Sequence, residues 1–275
     1  MNKDNIVKLL NKRSDISRAK LGSLLWPCLT FKLNPTSTLK INSSRIGGFP
    51  PVMKEIPIEL SDPELLFIGQ ISLTQIENTD DLFPATGNLY FFISVKDIGY
   101  RYPDREGEFK VIYSNDDLAK ADPNGNYRTI KEYSISFLEK YAFPSYQEHL
   151  ILQNNLTPED LNFIEEAEYE LSTSIDENYS CEHQIFGHPK AMQGTVRFWW
   201  AMKYLGYENI EKLSDTESLK IKEEEENFIL LLQLDFSDPK IEIDNFGNSL
   251  AYFGIHKNDL LDRNFDKAVL VMQNT

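Results

Sequence analysis

LLFIGQISL (65–73), followed by GNLYFFI (87–93), decides the fold, because a second copy stands near the C-terminus as FILLLQLDF (228–236) and GNSLAYFGI (247–255). Gln70 and Gln233 match in position, and so do Asp97 and Asp259. A Gly-x-Pro turn precedes each copy: Gly48-Phe49-Pro50 in the first, Gly187-His188-Pro189 in the second. The glutamines are 163 positions apart, far too many for a solenoid period, so the pattern is a two-fold duplication. Leu89 to Ile93 is apolar on both faces, as a central strand is. Either half alone would leave apolar strand faces uncovered. The expected fold is therefore α+β: a single compact β-rich domain, residues 1–275, built from two pseudo-symmetric repeats near 44–113 and 183–273.

Outward from the repeats, the apolar spacing of Ile6, Leu9, Leu10, Ile16, Leu21 and Leu24 predicts an N-terminal helical segment over 3–25. Ser14 or Asp15 could cap a second helix within it, and Pro27 is expected to end it. Leu29, Phe31 and Leu33 alternate as one face of a strand. Thr157-Pro158-Glu159-Asp160 is a helix start, with a Thr N-cap, Pro at N1 and acids where the helix dipole favours them. Phe198 to Leu205 reads as a helix closed by Gly206.

The net charge of −15 argues against nucleic acid or an anionic membrane as the partner, and permits a basic protein partner. Ten acids and no Lys or Arg lie in 141–189. Glu165, Glu166, Glu168 and Glu170 make one face of the predicted helix a candidate partner surface. Two cysteines are too few for a disulfide framework and fit free thiols in a cytoplasmic protein. No apolar run is long enough for a membrane span, and the N-terminus lacks a secretory apolar core.

No P-loop, dinucleotide, metalloprotease or serine-hydrolase motif is present, and the sequence implies no cofactor. Cys181, His183 and His188 offer three metal ligands within eight positions, with Cys28 or a carboxylate such as Glu182 as a fourth, but no paired-ligand motif is present. The expected function is a non-enzymatic protein-interaction module, an immunity or inhibitor partner; the alternative is a small-ligand or enzymatic site between the halves, which would draw on Gly47, Gly48, Gln70, His183, His188 and Gln233. Gly47-Gly48 lets backbone approach closely or take positive φ. A buried amide such as Gln70 or Gln233 must be hydrogen-bonded, and backbone of the partner loops across the pseudo-dyad is the expected acceptor.

SRIGGFP (44–50), LFIGQI (66–71), GNLYFFI (87–93), HQIFGHP (183–189) with Gln193, LLLQLD (230–235) and DLLDRNF (259–265) together resemble the YwqG family, a bacterial family of unknown function. The matches span about 28–275. The resemblance implies an α+β fold of two similar halves and no established activity; some members resemble accessory or immunity proteins near secreted toxin genes. The family's usual Trp-Gly-Asp before the last aromatic strand is replaced here by Asp244-Asn245-Phe246-Gly247-Asn248.

Overall fold

A computed structural model describes residues 3–36, 38–51, 65–76, 82–96, 108–116, 128–148, 156–173, 181–243 and 246–274. Asp97, Asp244 and Asn245 lie outside the described residues. The N-terminal segment folds as two helices, α1 (Lys3–Leu10) and α2 (Asp15–Leu24). The Ser14 hydroxyl accepts the Ser17 amide and so caps α2. The helix stops at Leu24, and Pro27 lies inside strand β1 (Trp26–Pro35), which corrects the expectation that proline itself ends the helix. Pro27 carries no N–H to give to a ladder, and position 27 near the start of a strand tolerates that.

β1 runs antiparallel to β7 (Tyr133–Ala142) over its whole length, from Trp26 opposite Ala142 to Pro35 opposite Tyr133. This long pair is the middle of the sheet. Beyond β7 come β2 (Arg45–Ile46), β3 (Leu65–Ser72), β4 (Asn88–Ser94) and β5 (Phe109–Ser114). Beyond β1 come β8 (Gln184–Ile185), β9 (Phe228–Asp235), β10 (Ser249–His256) and β11 (Val269–Asn274). The pairings along this path are antiparallel, and the short β6 (Arg128–Thr129) joins β3 in parallel. Two wings thus flank a central hairpin-like pair.

Each wing carries a bulge at the same place. Phe67 faces Phe92 and Gly69 faces Phe91, leaving Ile68 extra. In the other wing Leu232 faces Phe253 and Leu230 faces Gly254, leaving Leu231 extra. The extra residue falls two positions before each glutamine. Bulges bend strands and strengthen twist, and here the sheet curls into a nearly closed, barrel-like form. Phe91 and Phe109 of the first wing reach Phe253 of the second, with ring centroids 5.1 and 6.4 Å apart. Lys110 pairs with Asp266 at 2.7 Å. One apolar core, from Leu29 and Phe31 to Ile93, Leu232 and Phe253, fills the interior.

Outside the second wing packs α4 (Val196–Tyr204), capped by Thr195, with Val196, Trp200 and Ala201 fully buried against β9 to β11. Here α3 is Pro158–Thr173, α5 is Asp215–Glu224 and α6 is Lys257–Leu261. Thr157 caps α3 as expected, its hydroxyl accepting the Asp160 amide at 3.2 Å, and α3 packs on α1 and α2 through Phe163, Ile164 and Ala167. Gly254 lies under Trp200: a Cβ there would stand 2.5 Å from the indole ring. Gly254→Ala is expected to lower stability by about 3 kcal/mol, because overpacking a filled core forces side chains off their rotamers. Urea denaturation checks this.

Candidate functional site

The two Gly-x-Pro segments adopt matching turns. Gly47 and Gly48 have φ of 75° and 74°, and Phe186 and Gly187 have φ of 61° and 70°. Left-handed backbone suits glycine and strains a bulky residue by about 1–3 kcal/mol. At position 47 the chain runs against the segment just before β7, and a Cβ would stand 2.2 Å from the Lys131 carbonyl oxygen. At position 186 a phenylalanine bears the strain.

The glutamines sit in equivalent rows. Gln70 lies opposite Arg45 and Tyr90, and Gln233 opposite Gln184 and Tyr252. Both amides are fully buried. Gln70 Nε2 donates to the Ser43 and Ile41 carbonyls at 2.9 and 2.7 Å. Gln233 Nε2 donates to the Glu182 carbonyl at 2.6 Å, and its Oε1 accepts the Lys190 amide at 2.9 Å. Each glutamine therefore ties down the turn of its own wing. The expected bonds across the pseudo-dyad are not formed, because each turn is already the next strand in the ladder. Gln70 Oε1 has no hydrogen-bond partner among the described residues. The position matching Lys190 is Pro51, which has no N–H to offer.

Metal binding fares differently from expectation. Cys181 and His183 are joined by Asp238, with ligand atoms all within 4.8 Å of one another. His188 is elsewhere, donating from Nε2 to the Leu24 carbonyl at 2.8 Å. The proposed trio of Cys181, His183 and His188 is thus corrected by geometry. The substitute trio fits a metal poorly. His183 Nδ1 accepts the Asp235 amide at 3.1 Å, so the hydrogen-bond pattern assigns the ring proton to Nε2, which donates to Asp238 Oδ2 at 3.0 Å. A proton on Nε2 leaves no lone pair for a cation there. The His183 ring is further held by stacking on Phe31, 5.1 Å away.

Both cysteines are free. Burial pushes the Cys28 thiol up to about 12, with Lys140 opposing, and burial followed by Asp238 and Asp235 pushes the Cys181 thiol up to about 12. At pH 8 the thiolate fraction falls roughly a thousandfold below that of an ordinary thiol, and the thiolate is the nucleophile. Ellman's reagent is expected to label neither site quickly in native protein and both in guanidinium.

His188 belongs to a second buried cluster. Its ring stacks on Trp26 at 4.4 Å, and the Arg197 guanidinium lies 5.2 Å from the same indole. Arg197 Nη1 stands 3.8 Å from Glu148 Oε2, and both residues are completely buried. Glu148 also accepts the Thr195 hydroxyl at 2.9 Å and the Val196 amide at 3.0 Å, which places an anion at the start of α4. Burial, then the neighbouring Arg197, holds the His188 imidazole well below its ordinary range despite the Leu24 carbonyl. His188 is therefore neutral at pH 7.

A cavity of about 490 Å³ opens beside this cluster. The central pair contributes Trp26, Leu29 and Tyr141; the first wing contributes Leu82 and Phe83; the second contributes Phe186 and Ile229. Phe83 and Phe186 meet at 4.4 Å between ring centroids. Glu139, Glu226 and Lys257 add charge, and all three are exposed. Of the six ligand candidates Gly47, Gly48, Gln70, His183, His188 and Gln233, none lines this cavity. Gly187, between two of them in sequence, does, and so does Phe186. Trp26, Phe83, Ile229 and the Arg197–Glu148 pair carry no motif, and Phe186 stands immediately before the Gly-x-Pro turn.

On the partner surface, Glu165 and Glu166 are exposed on α3, and the side chains of Glu168 and Glu170 lie outside the described residues. Among the described residues no helix is long and apolar enough to cross a membrane.

A family model described as "Domain of unknown function (DUF1963)" matches residues 44–273. The match takes in both wings and every side chain that lines the cavity except those of β1, and the chain belongs to this family. A search of curated proteins gives no match.

Proposed function

We propose that this protein binds a small, largely apolar molecule in the cavity between its wings. The carrying observation is Phe186, a bulky residue held at φ 61° with its ring on the cavity wall against Phe83. Backbone strain at a non-glycine residue concentrates where a side chain must be aimed. The volume suits a metabolite-sized ligand, and apolar walls with a few polar groups are the usual composition of such sites. The wings are read here as pseudo-symmetric copies related to the YwqG family, which the paired bulges, paired glutamines and paired turns support. The ligand site would then use a place where the copies differ: glycine at 47, phenylalanine at 186. Free thiols fit a cytoplasmic setting.

The neutral fluorophore N-phenyl-1-naphthylamine tests this reading. Its emission is expected to rise on titration into the protein, and Phe186→Ala is expected to weaken binding at least fivefold. No rise with wild-type protein, or equal affinity in the variant, refutes it.

A second reading, an interaction module with a basic protein partner in the manner of an immunity protein, draws on exposed Glu165 and Glu166 together with Glu168 and Glu170. Exposed charges act mainly on association rate. Changing all four to lysine is expected to slow association with such a partner at least tenfold at low salt. An unchanged rate by surface plasmon resonance sinks it.

A further inference from the structure

Resting on the cavity reading above, we infer that the ligand is an organic cation: an apolar or aromatic body carrying an ammonium group. Three observations converge. Phe83, Tyr141 and Phe186 line the walls, and cations are attracted to aromatic rings. Two exposed carboxylates, Glu139 and Glu226, stand at the cavity with one ammonium, Lys257. The side chains of these three make no hydrogen bond or ion pair with a described residue, so the carboxylates are available to a ligand. The chain's charge of −15 adds a long-range field that gathers cations.

Lys140 also borders the cavity but does not cancel this bias. Directly paired residues in an antiparallel ladder project to the same side, and neighbours along a strand to opposite sides. Glu139 pairs with Leu29, which belongs to the interior core. Lys140 pairs with Cys28, so its amine projects away from that interior. The groups that act on Lys140 include Cys28, Glu182, Lys190 and Lys32. The backbone of Lys140 borders the cavity and its charge lies behind the sheet.

Calorimetric titration with three probes of one shape separates the claims: 4-phenylbutylammonium, 4-phenylbutanol and 4-phenylbutyrate, in buffer of about 20 mM ionic strength where surface charges are poorly screened. The ammonium is expected to bind at least tenfold tighter than the alcohol, and the carboxylate weakest. In the double variant Glu139→Gln, Glu226→Gln the ammonium is expected to fall to the alcohol's affinity; both sites are exposed, so melting serves as a folding check. Equal affinities for ammonium and alcohol, or a preference for butyrate, overturn the cation inference and leave the cavity reading standing. Binding by none of the three removes both.

Discussion

Replacing Glu148 by alanine is expected to lower the unfolding free energy by about 3–5 kcal/mol, because it strands a buried Arg197 charge without its counterpart. Glu148 is completely buried, and its two oxygens serve Thr195, Val196 and Arg197 together. Removing them also leaves the Val196 amide at the start of α4 without its acceptor. Arg197 Nε and Nη1 already lack hydrogen-bond partners among the described residues, and the other carboxylates that act on the guanidinium, Glu225 and Glu226, act less strongly than Glu148. Glu148→Gln keeps the shape and some hydrogen bonding but not the charge, and is expected to fall in between. The double variant Glu148→Leu, Arg197→Met is expected to recover much of the loss, since apolar replacement of a buried pair is often neutral or better. Guanidinium denaturation reads all three. A loss below about 1 kcal/mol for Glu148→Ala contradicts the assigned role.

Gly47→Ala is the second large effect, expected to cost about 4 kcal/mol or to prevent folding. Left-handed backbone penalises any Cβ by about 1–2 kcal/mol. The larger part is steric: the new methyl would stand 2.2 Å from the Lys131 oxygen and 2.7 Å from the Ile130 oxygen, both backbone atoms in the approach to β7. They can retreat only if Gly48 gives up its 2.9 Å bond to the Ile130 carbonyl. Phe186→Gly makes the contrast. Position 186 relieves strain on becoming glycine but loses ring contacts with Phe83, so stability is expected to change by less than about 1.5 kcal/mol. A Gly47→Ala protein as stable as wild type refutes the reading of that turn.

Strand composition made the sheet legible, since apolar runs around Gln70 and Gln233 have nowhere to go but a buried ladder. The N-cap at Ser14 and the helix start at Thr157 were equally readable, because capping is local chemistry. The site was not. His183 and His188 are five residues apart in sequence, yet one bonds Asp238 and the other Leu24, because the turn at Phe186 and Gly187 reverses the chain between them. Asp238, fifty-five positions from His183, replaces the expected neighbour. The cavity draws on β1, β7, the segment after β3 and the second wing, and no spacing rule connects Trp26, Phe83, Tyr141 and Ile229. Gln70 and Gln233 were correctly singled out as buried amides in need of partners, and misjudged only in which wing supplies them.

Protein-observed NMR of methyl-labelled Ile, Leu and Val groups during titration with 4-phenylbutylammonium tests the ligand site most directly. The account predicts saturable shifts concentrated at Leu29, Leu82 and Ile229, with Val196, Ile221 and Val271 on the far face of the sheet undisturbed, and loss of those shifts in a cavity-filling Ile229→Trp protein. Shifts scattered over the surface, or the same shifts in Ile229→Trp, would contradict it.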